Sequence, residues 1–172
     1  MAKVSMKDII RKIYEWNDRV DSMRTSPVKF DLVQALNLLD EEIQELQLGK
    51  SKKDRTEIAD ALADIFVVCI WEFKKMGVSL EKIQTLFDEE DKLAQRWFHD
   101  LTIVMKWGHQ FLIAACNAIQ DMDITFPMLR NKIFTEVVGK LFTRFGSDCY
   151  IDDNNKFRKS TDFVEPNLDF VK

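Results

Sequence analysis

Residues 39–68 of this 172-residue chain decide its fold, and they read LDEEIQELQLGKSKKDRTEIADALADIFVV. Apolar residues recur in this stretch at steps of three and four, the spacing of one helical face. Carboxylates follow the same steps, first as Glu42-x-x-Glu45 and then as Glu57-x-x-Asp60. The stretch therefore predicts two amphipathic helices, each with a stripe of acid beside its apolar stripe.

A short connection separates these two predicted helices. The first is expected over residues 28–48 and to end at Gly49, a residue suited to terminating a helix. A basic loop over 50–54 follows, and the second helix is expected over 54–76. A connection this short makes the two helices antiparallel neighbours, so their acidic stripes should meet along a shared edge.

The rest of the chain is also helical in period, with few glycines and prolines. Four further helices are expected, over 5–21, 80–98, 101–121 and 127–145. The predicted core-facing residues of the first three helices in chain order are Ile9, Ile13, Trp16, Val20, Leu32, Leu36, Leu39, Ile43, Leu46, Ile58, Leu62, Ile65, Cys69 and Met76. The expected fold is a single all-α domain over 1–172: a six-helix core over 5–145 and an irregular tail over 146–172, with a small hairpin near 153–155.

Composition excludes several classes of protein. Hydrophobic residues make up 46% of the chain and charged residues 31%, which is typical of a globular protein. The net charge of −4 gives no basis for binding nucleic acid. No apolar run is long enough to cross a membrane, and no secretory leader is recognisable. Three widely spaced cysteines form neither a disulfide framework nor a zinc motif, so a cytoplasmic location is expected.

The acids at the shared edge predict a metal site. Asp60 and Asp64 lie within a long apolar run, where an unpaired carboxylate is costly. Several carboxylates facing one another would repel unless a cation lies between them, and Mg²⁺ holding a substrate phosphate needs such oxygen ligands. The alternative is that each acid is the solvated flank of an amphipathic helix. Glu57 has a further alternative, as a capping residue behind Asp54.

Other catalytic chemistries find little support. The two histidines, His99 and His109, lie in neither an ExxH nor an HExxH pattern, which disfavours a di-iron bundle or a zinc protease. No phosphate-binding glycine loop and no nucleophile elbow is present. The acidic run at 152–155 lacks the spacing of a calcium loop and is interpreted as a turn.

The acidic motif resembles the signature of the MazG-like all-α nucleoside triphosphate pyrophosphatases, Glu-Glu-x-x-Glu, a gap, then Glu-x-x-Asp. Here it stands as Glu41-Glu42-Ile43-Gln44-Glu45, eleven residues, and Glu57-Ile58-Ala59-Asp60, extended by Asp64. Residues 25–27 leading into 36–40 continue the resemblance upstream. In the tail, residues 155–159 and 163–168 look like the ending of phage-type members.

The resemblance implies cleavage of a nucleoside triphosphate, particularly a deoxynucleotide, to monophosphate and pyrophosphate. It implies a Mg²⁺ ion, with Mn²⁺ as the alternative, and a homodimer or dimer of dimers. The implied metal ligands are Glu42, Glu45, Glu57 and Asp60, with Glu41 and Asp64 in supporting roles.

Substrate contacts follow less directly. Trp16 lies where the family builds its nucleoside pocket, and its alternative is a core position. Lys53, Arg55 and Arg144 are candidates for the phosphates. Where the family has a nucleotide-contacting Asn this chain has Leu141, and the segment 89–130 is longer than in short members. A non-catalytic metal-binding dimer and a phosphoribosyl-ATP-type pyrophosphohydrolase therefore stay open as alternatives.

Overall fold

The computed structural model describes residues 5–85 and 128–171. The fold is all-α, as predicted. The α-helices are α1 (Met6–Ser22), α2 (Leu32–Lys52), α3 (Arg55–Lys75), α4 (Leu80–Thr85) and α5 (Phe134–Leu141). A π-helical turn, Leu129–Ile133, leads into α5, and 3₁₀ turns span Phe142–Arg144 and Asp169–Val171. Two short strands, β1 (Tyr150–Ile151) and β2 (Phe157–Arg158), pair antiparallel.

The first three helices begin at side-chain caps. The Ser5 hydroxyl accepts from the Lys7 amide at 3.2 Å, and the Asp31 carboxylate accepts from the Gln34 amide at 2.8 Å. Asp54 accepts from the backbone amides of the second and third residues of α3 at 3.0 and 3.1 Å. Each cap satisfies donors that the first helical turn leaves unpaired, so these residues fix where the helices start.

The predicted limits of α2 were wrong at both ends. The helix begins at residue 32 rather than 28, because Asp31 supplies its cap. It continues through Gly49 and ends only at Lys53, whose φ of 56° is left-handed. Gly49 instead permits close packing: a Cβ there would lie 3.1 Å from Ile58 Cγ1 on α3. The α2–α3 connection is therefore a tight turn at residues 53–54, and the acidic hairpin is held closely together.

The core lies between α1, α3 and α5. Ile9, Ile13, Trp16 and Val20 of α1 are buried as predicted, and the rings of Phe66 and Phe134 stack at 4.5 Å between centroids. The predictions for α3 hold for Ile58, Leu62, Ile65 and Cys69. In α2, Leu39 and Leu46 are buried, whereas Leu36 and Ile43 are half-buried.

Two of the predicted core residues are exposed. Leu32 is 45% exposed because it opens α2 at the edge of the fold, and Met76 is 40% exposed because it caps the end of α3. The predicted helix over 101–121, the later part of that over 80–98, and Cys116 lie outside the described residues. The start of α4 is capped by the Ser79 hydroxyl, which accepts from the Lys82 amide at 3.2 Å.

The tail returns to the helical core. The predicted hairpin is present, with Tyr150 opposite Arg158 and Ile151 opposite Phe157. Beyond it, Leu168 and Val171 are 2% and 1% exposed and belong to the same core cluster as α1 and α3. Residues after 146 are therefore part of the packed structure. Within the described ranges, no helix is long and apolar enough to cross a membrane.

Two glycines near the tail should respond oppositely to replacement by alanine. A Cβ on Gly146 would overlap Ser160 and Asp162, whereas one on Gly139, within α5, would meet nothing within 4 Å. Ser160 is buried and bonded to Asp148, so it has little room to move. Gly146→Ala should destabilise the protein by about 1–3 kcal/mol, and Gly139→Ala should stabilise it by about 0.5–1 kcal/mol.

Urea unfolding of the two alanine variants measures both effects against the same wild type. Equal and small changes in both variants would contradict the close packing of the tail against Gly146.

Candidate active site

A cavity of about 690 Å³ lies between α2, α3 and the tail. Its size is within the range of small-molecule sites, about 300–1,000 Å³. The α2 side is built from residues at steps of three and four: Gln34, Asn37, Leu38, Glu41 and Glu42. This spacing places them on one face of the helix.

The α3 side of the cavity follows the same rule. Asp64, Val67, Val68 and Trp71 occupy successive positions of one face. Because α2 and α3 are antiparallel, Glu42 and Asp64 lie at one end of the cavity. Gln34 and Trp71 lie toward the other. The cavity therefore has an acidic end and an end lined by amide and aromatic side chains.

Two buried carboxylate oxygens without partners belong to Glu42, which lines the acidic end, and to Asp60, which does not line the cavity but raises the pKa of Asp64. Glu42 Oε2 and Asp60 Oδ1 are both buried, and neither has a hydrogen-bond partner among the described residues. Glu41 and Glu45 are exposed on the same helix. A buried carboxylate oxygen normally accepts a hydrogen bond or binds a cation. These two oxygens have neither among the described residues, so each could accept a cation.

The acids also perturb one another. Burial raises the pKa of Glu42 to about 8, with further increases from Asp64 and then Glu45. Burial raises the pKa of Asp64 to about 7, with a further increase from Asp60. The Arg144 guanidinium lowers both values. The sequence prediction that these acids lie together across the hairpin is thus matched by their electrostatic coupling.

The tail adds two charged groups that sequence reasoning missed. The pKa of Asp60 is raised first by burial and then by the charge of Glu165, while Lys159 lowers it. Lys159 Nζ lies 2.9 Å from Glu165 Oε1. Both residues stand in the two tail segments that carry the family resemblance, which was the available signal. Nothing in their spacing from the acidic motif indicated a shared location.

Arg144 is the basic residue that lowers the pKa values of both Glu42 and Asp64 at the acidic end. It lines the cavity, and its Cζ lies 5.9 Å from the ring centroid of Trp16 and 5.3 Å from that of Phe163. Trp16 is buried, borders the cavity, and donates from Nε1 to the Leu141 carbonyl at 2.9 Å. The Leu141 side chain is 1% exposed and packs in the core. Position 141 thus acts through its backbone, which anchors Trp16.

The remaining predicted residues lie at the turn. Lys53 is the left-handed residue that ends α2, and Arg55 is the first residue of α3. Glu57 Oε2 lies 3.4 Å from Lys52 Nζ. None of these residues is among the described residues that line the cavity. Their roles in phosphate or metal binding stay predictions.

The residues of the acidic end suit a divalent cation whose coordination shell is completed by oxygens of the substrate. In the part of the chain that the structure describes, no three acid, histidine or cysteine side chains form a ready-made metal cage. Mg²⁺ nevertheless binds through one or two carboxylates together with substrate phosphates and water. The unpartnered oxygens of Glu42 and Asp60 suit that mode.

The raised pKa values predict a pH dependence of the metal-free protein. Glu42 and Asp64 bind protons more tightly when folded, so the native state holds more protons than the unfolded state between about pH 4 and 8. Stability must then fall as pH rises through this window. Thermal melting in EDTA should give a lower Tm at pH 8 than at pH 6.

Glu42→Gln removes part of this dependence and provides the check. The variant should show a smaller difference in Tm between the two pH values. An unchanged difference would contradict the assignment of Glu42 as a buried, mostly protonated carboxyl group.

In comparisons with known proteins, residues 16–90 match the model of the phosphoribosyl-ATP pyrophosphohydrolase family. The match includes α2 and α3 with all of their acids, and it covers less than half of the chain. No curated protein and no solved structure matches the chain.

Proposed function

We propose that the protein hydrolyses a nucleoside triphosphate to the monophosphate and pyrophosphate, with a divalent metal ion, in cytoplasmic control of nucleotide pools. The observation that supports this most is the two-ended cavity. Its acidic end, with Glu42 and Asp64, suits a metal-bound triphosphate, and its aromatic and amide end suits a base. The family match over α2 and α3 supports the same class of reaction.

The metal would be held by the coupled acids. Glu42, Asp60 and Asp64 would supply the buried ligands, with Glu45 and Glu57 at the exposed margin. Mg²⁺, or Mn²⁺ in its place, would neutralise the charge that develops on the phosphate oxygens during the reaction.

The hydrolysis itself needs a water molecule and a base. The oxygen of water forms a bond to the α-phosphorus, and the bond from that phosphorus to the bridging oxygen breaks. The bridging oxygen leaves on pyrophosphate, and the proton of water passes to a carboxylate. Glu41 lines the cavity and is exposed, so it is the proposed acceptor of that proton. Arg144 would balance charge on the phosphates from the opposite wall.

Pyrophosphate release tests the proposal directly. The purified protein is assayed with each common NTP and dNTP and with phosphoribosyl-ATP, in Mg²⁺, in Mn²⁺ and in EDTA. Turnover of at least one nucleotide with metal, and none in EDTA, is expected. Absence of turnover across the whole panel, with metal binding intact, would favour a non-catalytic metal-binding protein.

Phosphoribosyl-ATP is the second candidate substrate, and the family match favours it. The matching family is described by that substrate. The same panel separates the two candidates, because an enzyme of this type should prefer phosphoribosyl-ATP over ATP and the other triphosphates.

A homodimer, or a dimer of dimers, is part of the proposal. Leu32 and Val33 open α2 with 45% and 67% of their surface exposed, and α2 also forms one wall of the cavity. Burial of such apolar surface stabilises association. Light scattering at micromolar concentration should give at least twice the mass of 20.2 kDa. A fully active monomer would overturn this part.

A further inference from the structure

The end of the cavity away from the acids carries its own chemistry. Gln34 and Asn37 of α2 and Trp71 of α3 lie there, and Arg24, which follows α1, completes the wall. None of these residues belongs to the acidic motif. The inference below rests on the proposed function and concerns which base the site accepts.

Arg24 is the notable residue of this end. Its side chain is only 4% exposed, and Nη1 donates to Asp21 Oδ1 at 2.7 Å. Its Nε is also buried, yet it has no hydrogen-bond partner within the described ranges. A buried donor left unpaired destabilises the protein, so an acceptor from a bound molecule would relieve that cost.

Trp71 places an aromatic ring beside this donor. The Arg24 Cζ lies 5.7 Å from the Trp71 ring centroid, and Lys75 Nζ lies 4.2 Å from it. Lys75 is itself paired with Glu72 at 2.7 Å, so its charge is compensated. Trp71 thus lines the cavity next to Arg24, whose buried Nε–H has no hydrogen-bond partner within the described ranges.

The spacing between the two ends suits a nucleotide. Asp64 and Trp71 are seven residues apart on one face of α3, which is two helical turns or roughly 10.5 Å along the axis. A sugar and the first phosphate would span that gap between a base at Trp71 and phosphates at the acidic end. Val67 and Val68 lie between them and give the sugar an apolar floor.

We propose that the Arg24–Trp71 end of the cavity binds a base with a carbonyl oxygen at the ring position where cytosine and adenine carry their amino group, namely C4 of uracil and thymine or C6 of guanine and hypoxanthine. The Trp71 indole stacks on the base, and the Arg24 Nε–H donates to the carbonyl oxygen. A guanidinium has donors only, so it pairs with a carbonyl oxygen and opposes the amino group that cytosine and adenine carry at the same ring position. The site therefore selects keto bases over amino bases.

Binding of unreactive α,β-imido analogues tests the selection without turnover. Calorimetry with Mg²⁺ compares the dUTP and dCTP analogues, which differ in the carbonyl and amino group at one ring position. The dUTP analogue should bind at least tenfold more tightly. Arg24→Lys keeps the charge and the pair with Asp21 but removes Nε–H, so it should abolish most of that preference. Arg19→Lys, within α1 and over the Phe145 ring, is the matched control and should keep it.

Substitutions of Trp71 test the stacking surface. Trp71→Leu should weaken both analogues roughly 5- to 100-fold, and Trp71→Phe should restore most of the affinity. Inorganic triphosphate, which has no base, should bind equally to the wild type and to all of these variants.

Three results would overturn the base site: equal affinity for the two analogues, a preference that survives Arg24→Lys, or a loss of triphosphate binding equal to the loss of analogue binding. Failure of the proposed function would look different. Selective analogue binding with no pyrophosphate release would leave the base site standing and remove the hydrolase, whereas turnover without selection would do the reverse.

Discussion

Glu42→Gln is expected to lower kcat by about 10²- to 10³-fold, with a much smaller change in KM. Glu42 lines the acidic end of the cavity and has a buried oxygen without a partner among the described residues. A carboxylate that helps to hold a cation against the phosphates contributes most as charge develops in the transition state, so its loss appears in kcat. The amide has the same shape as the carboxyl group and stays neutral at every pH within a cluster of acids, so the variant should stay folded.

Asp40→Asn is the matched control for Glu42→Gln. Asp40 is an exposed acid on the same helix, and its Oδ2 accepts from Gln44 Nε2 at 2.8 Å. Steady-state pyrophosphate release should be unaffected by Asp40→Asn, and Mn²⁺ binding should weaken only in Glu42→Gln. Wild-type kcat and metal binding in Glu42→Gln would remove Glu42 from the site.

Arg144→Ala is expected to raise KM roughly tenfold or more, the effect of losing a charge-assisted contact of about 1.5–3 kcal/mol. Arg144 lines the cavity opposite the acids and contacts the rings of Trp16 and Phe163. A cation that binds phosphate equally in the ground and transition states affects KM more than kcat. Its removal should also raise the pKa values of Glu42 and Asp64 further, so the acidic limb of the activity profile should move to higher pH.

Arg158→Ala serves as the control for Arg144→Ala, because Arg158 is bound to Asp152 in the hairpin at 2.6 Å. It should leave KM and the pH profile near those of the wild type. If Arg144→Ala leaves kcat/KM unchanged, the wall formed by the tail takes no part in substrate binding, and the alignment of that region with the family is wrong.

The acidic hairpin could be predicted from the sequence because helical period and acid spacing are local properties. The positions of Glu42 and Asp64 follow from steps of three and four residues and from one short turn. The function of Gly49 could not be predicted in the same way. In a sequence, a glycine near the end of a helical pattern indicates the end of the helix. The structure shows instead that α2 continues through Gly49, which packs closely against Ile58.

Contacts between segments that are far apart along the chain could not be predicted from the sequence. Glu165 and Lys159 reach Asp60 because the tail folds back on the core, and no periodic signal encodes that return. The Arg24–Trp71 pair has the same origin, since it joins the end of α1 to the second half of α3. Glu165 and Lys159 modify the acidic end, and Arg24 and Trp71 lie beyond it, so a motif centred on the acids finds the acidic end of the cavity but not the rest of its lining.

The bond from the Trp16 indole to the Leu141 carbonyl joins positions 125 residues apart. The entropic cost of closing a loop grows with its length, by about 0.6 kcal/mol for each doubling. The α2–α3 hairpin closes through a two-residue turn, so it should form early in folding, and the Trp16–Leu141 bond should form late. Mutations at the hairpin turn should then slow refolding, whereas Trp16→Phe should mainly speed unfolding. The separation of contacting residues along the chain thus predicts that the α2–α3 wall of the cavity forms before the wall that contains Trp16 and the tail.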